Sequence, residues 1–141
     1  MSRLLCLLGL PCALFAAPLF AADIHLKVSG QKSDEGHYLV AVYRDAESFL
    51  DSKKAVREVK VTTAEGKAGF TLSDLAPGTY AIAVIQDKND NGKLDTNFLG
   101  IPKEPLGASN NAPLRFGPPK FDLAKIDLKD TLDLDVALQE Y

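Results

Sequence analysis

The sequence predicts an all-β fold: an antiparallel β-sandwich, immunoglobulin-like or transthyretin-like Greek key, with one long ordered loop. Three observations predict it. Apolar residues recur at period two along most of the chain, turns rich in Gly and Pro separate the runs, and no segment holds a sustained helical repeat. The 141 residues are 46% hydrophobic and 25% charged, ordinary globular proportions that suit one domain.

Residues 1–22 read differently from the rest. Arg3 is their only charge, an apolar run follows from Leu4 to Phe15, and small residues end the segment at Ala21-Ala22. A positive start, an apolar middle and an alanine-rich end predict a secretory signal peptide cut near Ala22/Asp23. Pro11 and Pro18 interrupt the run, which is too short for a comfortable membrane span. Pro11 also makes a poor context for lipidation at Cys12. The predicted product, residues 23–141, is a single β-sandwich domain in the periplasm or outside the cell, with no membrane span after cleavage. It holds no cysteine, because Cys6 and Cys12 both leave with the leader. Disulfide, thiolate-metal and thiol chemistry are thereby excluded. The whole chain carries a net charge of −3 without any basic stripe, so nucleic acid is an unsuitable partner.

The first strand is read from Ile24, Leu26 and Val28 on one face, with His25 and Lys27 on the other. Gly30 to Gly36 is a polar turn region, and Tyr38 to Tyr43 is a continuous apolar run suited to a central strand. Asp45 to Lys54 is a polar connection with one helical turn. Val56, Val59 and Val61 predict a third strand, and Ala68, Phe70 and Leu72 a fourth. Pro77-Gly78 predicts a tight turn, with proline fixing φ and glycine supplying positive φ. Tyr80 then opens the strongest strand and resembles the corner tyrosine of Greek-key sandwiches, buried with its hydroxyl tied to nearby backbone. Phe121, Leu123, Ile126 and Leu128 supply a strand or a packed approach to the last one, Leu132 to Leu138.

Asp87 to Lys120 departs from this pattern. All five asparagines of the chain and five of its eight prolines lie there. A connection this long is uncommon in a compact domain and is usually functional or disordered. Phe98, Leu99, Ile101, Leu106 and Phe116 argue for order, since apolar anchors let it fold back onto the sandwich.

Asp87-Lys88-Asn89-Asp90-Asn91-Gly92-Lys93-Leu94-Asp95 fits the first nine positions of a calcium (Ca2+) loop. Asp87, Asn89 and Asn91 occupy alternating ligand positions, Gly92 takes the sharp turn, Lys93 offers its carbonyl and Asp95 takes the ninth position. The twelfth is Phe98, where a bidentate Glu belongs; Glu104 is the nearest acidic residue downstream. The alternative is that these Asx side chains cap their own turns and hold the loop without metal.

The runs DKNDNGKLDTNFLGIPKEPLGASNNA and RFGPPKF, with LAPGTYAIAVIQD and VAVYRDAESF upstream, resemble the family called domain of unknown function 2141. The resemblance implies a secreted or periplasmic bacterial β-sandwich and no established activity or catalytic residues. Pro105, where similar proteins often carry glycine, and Gln86, where histidine is common, depart from it. The missing histidine speaks against a transition metal.

Other chemistry is less well signalled. His25 and His37 read as exposed imidazoles, Gly107-Ala108-Ser109-Asn110-Asn111 lacks the second glycine of a nucleophile elbow, and no glycine-rich phosphate loop is present. Tyr38, Tyr43, Phe98 and Phe116 are an aromatic set for a carbohydrate, modest without any tryptophan. The expected function is a non-enzymatic binding module that presents Phe98, Pro102, Ser109, Asn110, Asn111 and Phe116 to a protein or glycan of the cell envelope. The alternative is a hydrolase of a cell-envelope glycan that works through Glu104 with Asp87 or Asp95.

Overall fold

A computed structural model describes residues 20–114 and 117–141. Met1 to Leu19, most of the predicted signal peptide, and Phe116 of the predicted binding loop lie outside the described residues. The elements run β1 (Ala22–Ser29), β2 (His37–Tyr43), a 3-10 turn (Ser52–Lys54), β3 (Arg57–Thr62), α1 (Thr63–Ala68), β4 (Phe70–Leu75) and β5 (Gly78–Asp87). β6 (Leu106–Ala108), a second 3-10 turn (Ser109–Asn111), α2 (Phe121–Ala124), β7 (Ile126–Leu128) and β8 (Leu132–Ala137) follow. No helix among the described residues is long and apolar enough to cross a membrane.

Two sheets pack face to face. One has the order β4-β1-β8; the other is β3-β2-β5-β6, with β7 also paired to β5. Ile24, Leu26 and Val28 of β1 meet Tyr38, Val40 and Val42 of β2 and Tyr80, Ile82 and Val84 of β5 in the core. Each is at most 1% exposed. Alternate residues point inward because strand side chains switch faces at every step. Burying each such side chain contributes roughly 1.5–3 kcal/mol. The sandwich predicted from period two is present.

Four local expectations change. β1 and β8 run parallel, so the sandwich is not wholly antiparallel. Ala68 ends α1 instead of opening β4, because Thr62 and Glu65 form a capping box that starts a helical turn. Gly78 is not a positive-φ residue: the left-handed residue before this turn is Asp74, at φ 60°. Val56 is 48% exposed and precedes β3, whose Val59 and Val61 face the core.

β5 is the spine of the larger sheet. β2 covers one edge over its full length, from His37↔Asp87 to Tyr43↔Ala81. Two short strands share the other edge, β7 along Gly78–Tyr80 and β6 along Ala83–Ile85. Ser109 fills the break between them. Its hydroxyl accepts from the Ile82 N–H at 2.9 Å and donates to the Ala124 carbonyl at 2.5 Å. β6 also closes onto the end of β8, where Leu106 and Gln139 exchange backbone hydrogen bonds. At this seam a Cβ on Gly107 would sit 2.6 Å from the Ala137 carbonyl oxygen, so only glycine fits.

Candidate functional site: the loop over the outer sheet face

The loop leaves β5 at Asp87 and returns at β6. Its first part is held by carboxylates bonded to its own backbone. Asp87 is fully buried, and its two oxygens accept from the N–H groups of Asn91 (3.1 Å) and Gly92 (2.7 Å). Gly92 sits at φ +82°, the left-handed conformation that glycine adopts freely. Glu104, 5% exposed, accepts from the Lys88 N–H (2.9 Å) through one oxygen and the Asp95 N–H (3.0 Å) through the other. One carboxylate therefore ties the two ends of the turn. Asn89 and Asn91 donate their amide groups to Asp95 at 2.5 to 3.0 Å. Those hydrogen bonds, Asn91 first, hold the Asp95 carboxyl below its usual range.

Asp90, at φ 61°, points the other way. Its Oδ1 takes a hydrogen bond from Lys60 Nζ at 2.5 Å and lies 3.1 Å from His37 Nδ1. The Lys60 bond is the main cause of the lowered Asp90 carboxyl, with the His37 charge adding to it. This contact fastens the loop to β2 and β3. Sequence reading left His37 as an isolated imidazole, because its partner is 53 positions away in the chain.

A calcium ion would need the oxygens of Asp87, Asn89, Asn91 and Asp95, with the Lys93 carbonyl, to face one point. Both Asp87 oxygens already hold N–H groups. The side-chain oxygens of Asn89 and Asn91 accept from the backbone N–H of Asn91 and Lys93, and their NH2 groups face Asp95. Phe98, at the twelfth position, is 96% exposed. Among the described residues no three His, Cys, Asp or Glu side chains are placed to hold a metal ion. This donor set fits a self-capped turn better than a calcium cage.

Beyond Asp95 the loop forms a small hairpin closed by a bridge between Thr96 and Pro102. Asn97 Oδ1 accepts from the N–H groups of both Leu99 and Ile101, so the tip is built from one side chain. The tip holds Phe98 and Leu99 (68% exposed) out in solvent. Further on, the loop is anchored instead of displayed. Ser109 is fully buried at the β6–β7 break, Asn110 donates to the Lys125 carbonyl at 2.7 Å, and Asn111 accepts from the Ala137 N–H at 2.9 Å. Both asparagines adopt positive φ, 57° and 48°. The structure thus separates Phe98 and Pro102, near the tip, from Ser109 to Asn111, which hold the sandwich together.

The three described members of the aromatic set do not assemble. Tyr38 is in the core, Tyr43 packs edge-on against Phe49 at 5.5 Å, and Phe98 stands alone at the tip. Burial pushes the Tyr43 hydroxyl up to about 12. Tyr80 is 1% exposed; its hydroxyl donates to the Ala76 carbonyl at 2.6 Å and accepts from Arg44 Nη2 at 3.2 Å.

The outer face of the larger sheet is apolar beneath the loop. The cross-strand register aligns Lys60, Leu39, Ile85 and Leu106 in one row and Glu58, Ala41, Ala83 and Ala108 in the next. Phe49 and Phe121 pack against the alanine cluster that includes Ala81 and Ala108. Over the first row, Leu94, Ile101 and Pro102 form a roof, and a groove of about 970 Å³ lies between roof and floor. A second, polar recess of about 450 Å³ lies beside Glu104 and Asp95.

A family model described as "Uncharacterized protein conserved in bacteria (DUF2141)" matches residues 26–134. The chain belongs to this family. The matched range runs from within β1 to within β8 and includes the loop. Comparisons with curated proteins and with solved structures give no match.

Proposed function

We propose that this member of the family is a non-enzymatic binding domain exported to the periplasm or the cell exterior, with the Asp87–Lys120 loop as its recognition element for a protein or glycan of the cell envelope. The observation that carries the reading is the loop's construction. Buried carboxylates and asparagines fasten it from inside, while Phe98 and Leu99 are held out at its tip. A rigid turn that exposes adjacent large apolar side chains suits recognition, since little ordering entropy remains to oppose binding. Calcium is a weak, exchangeable addition in this reading, because it competes with amide contacts that already satisfy the oxygens. The hydrolase alternative asks Glu104 to exchange protons while both its oxygens hold backbone N–H groups, which suits a clamp better than an acid.

The test places a photo-crosslinking side chain at Phe98 and, separately, at Lys27, an exposed position on the opposite sheet. The protein is expressed with its leader and illuminated in the cell. We expect a discrete envelope adduct from position 98 and none from position 27, with a secreted chain whose mass begins near Asp23. Release of product from isolated envelope glycan, abolished by Glu104→Gln, would overturn the reading in favour of a hydrolase.

A further inference from the structure

We infer that the groove between the outer sheet face and the loop binds a single-chain anionic amphiphile, one molecule per domain, with its alkyl chain over Leu39 and Ile85 and its acidic head beside Lys93. The inference rests on the loop being a recognition element and adds a ligand beneath it. Three observations carry it. The groove holds about 970 Å³, at the upper end of the range of small-molecule sites, and its walls are mostly aliphatic. Floor and roof are each fixed by their own hydrogen bonds, the floor by the β2–β5 ladder and the roof by the Glu104 clamp and the Asn97 turn, so the space is not closed by a simple side-chain shift.

Charge then selects the head group. Lys60 and Lys93 line the groove together with Gly92 and Leu94, and Glu58, one outward row further along β3, lines it as well. Lys60 Nζ is engaged by Asp90, whereas Lys93 has no carboxylate within salt-bridge distance among the described residues. An alkyl chain therefore meets apolar walls along the row of Leu39 and Ile85, and a carboxylate meets an ammonium group. A neutral alkane would leave Lys93 unused, and a cationic head would face it.

The experiment titrates the purified domain with octanoate, decanoate and dodecanoate below their micellar concentrations, with calorimetry as readout. Each methylene buried in the groove should tighten binding roughly fourfold, at a stoichiometry of one. Dodecanol, without the charge, should bind more weakly than dodecanoate, and Lys93→Glu should weaken dodecanoate several-fold while leaving dodecanol unchanged. Ala41→Trp, which fills the floor, and Leu94→Ser, which opens the roof, should each cost tenfold or more; far-UV circular dichroism and the melt identify a variant that has not folded. Phe98→Ser should leave dodecanoate binding intact while removing the envelope adduct of a crosslinking side chain placed at the neighbouring Leu99, so the two proposals fail separately. No binding of dodecanoate, no dependence on chain length, or binding indifferent to both Ala41→Trp and Leu94→Ser would overturn the inference. So would binding of anionic phospholipid vesicles without binding of the monomeric acid, which would assign the tip to a membrane surface instead.

Discussion

Replacing Glu104 by glutamine keeps the shape of the side chain and changes what it offers. The native carboxylate accepts from two backbone N–H groups, Lys88 and Asp95, at 2.9 and 3.0 Å, while 5% exposed. Glutamine has one oxygen and one NH2 group, so one of the two backbone donors meets another donor. That N–H is left unsatisfied, and the surviving bond loses its charge. Bonds to a charged group are worth about 1.5–3 kcal/mol and an unsatisfied buried donor costs about 1–3 kcal/mol, so the variant should lose about 2–3 kcal/mol. For a domain of this size that is a fall in Tm of about 6–15 °C, taking about 3–5 °C per kcal/mol. Urea unfolding measures the loss, and hydrogen exchange locates it: the Lys88 and Asp95 amides should exchange much faster, while those of β1 change only as far as global stability does. A loss under about 0.5 kcal/mol with unchanged exchange at both amides would refute the clamp.

The remaining predictions are more local. Tyr80→Phe removes the donor to the Ala76 carbonyl and the acceptor for Arg44 and should cost about 1–3 kcal/mol in urea unfolding. Gly107→Ala should prevent folding or cost several kcal/mol, because its Cβ would press on the Ala137 carbonyl; Gly92→Ala, with no neighbour within 4 Å, should cost only the ~1–2 kcal/mol of a left-handed alanine. Asp90 and Asp95 both titrate below the ordinary aspartate range in the folded state, so their contribution is present above the unfolded value and disappears as pH falls through the folded one. NMR titration should place both midpoints below about 3.9, and Lys60→Met should move that of Asp90 upward. Adding 1 mM calcium should shift Tm by less than about a degree; a rise of several degrees, lost in Asp95→Asn, would show the ion to be integral.

Much of the sandwich was legible because alternation is a local signal: Ile24, Leu26 and Val28, or Leu132 to Val136, declare their buried faces without help. The β1–β8 pairing was not, since Leu26 and Leu134 lie over a hundred positions apart and a period-two pattern carries no direction. α1 escaped because Ala68, Phe70 and Leu72 continue the alternation backward, although Thr62-x-x-Glu65 is a readable capping box. In the loop, the spacing of Asp87, Asn89, Asn91 and Asp95 reads both as a calcium loop and as a self-capped Asx turn, because the same alternating oxygens serve either. Glu104 stood out in the sequence only as the nearest acidic residue downstream of the turn, and its hold on the Lys88 and Asp95 N–H groups depends on the chain folding back. The part played by Ser109 depends on β6 and β7 stopping short of each other, a three-dimensional fact with no local trace.

The way the sandwich is closed bears on how the chain avoids pairing with other chains. Exposed strand edges recruit other chains, and proteins suppress this by covering or interrupting them. Here the contact between Leu106 and Gln139 seals one side, where β8 would otherwise offer its edge. On the other side β3 and β4 end their sheets, joined by α1, and the Arg57 guanidinium donates to the Ser73 carbonyl across the opening. Charged side chains alternate along β3, and Asp74 twists β4 near its end with a left-handed residue. A strand inserting between β3 and β4 must therefore first displace the Arg57 bridge, and one adding at the end of β8 the Leu106–Gln139 pair. Loosening β3 by Arg57→Ala should shorten the lag before fibrils form under agitation.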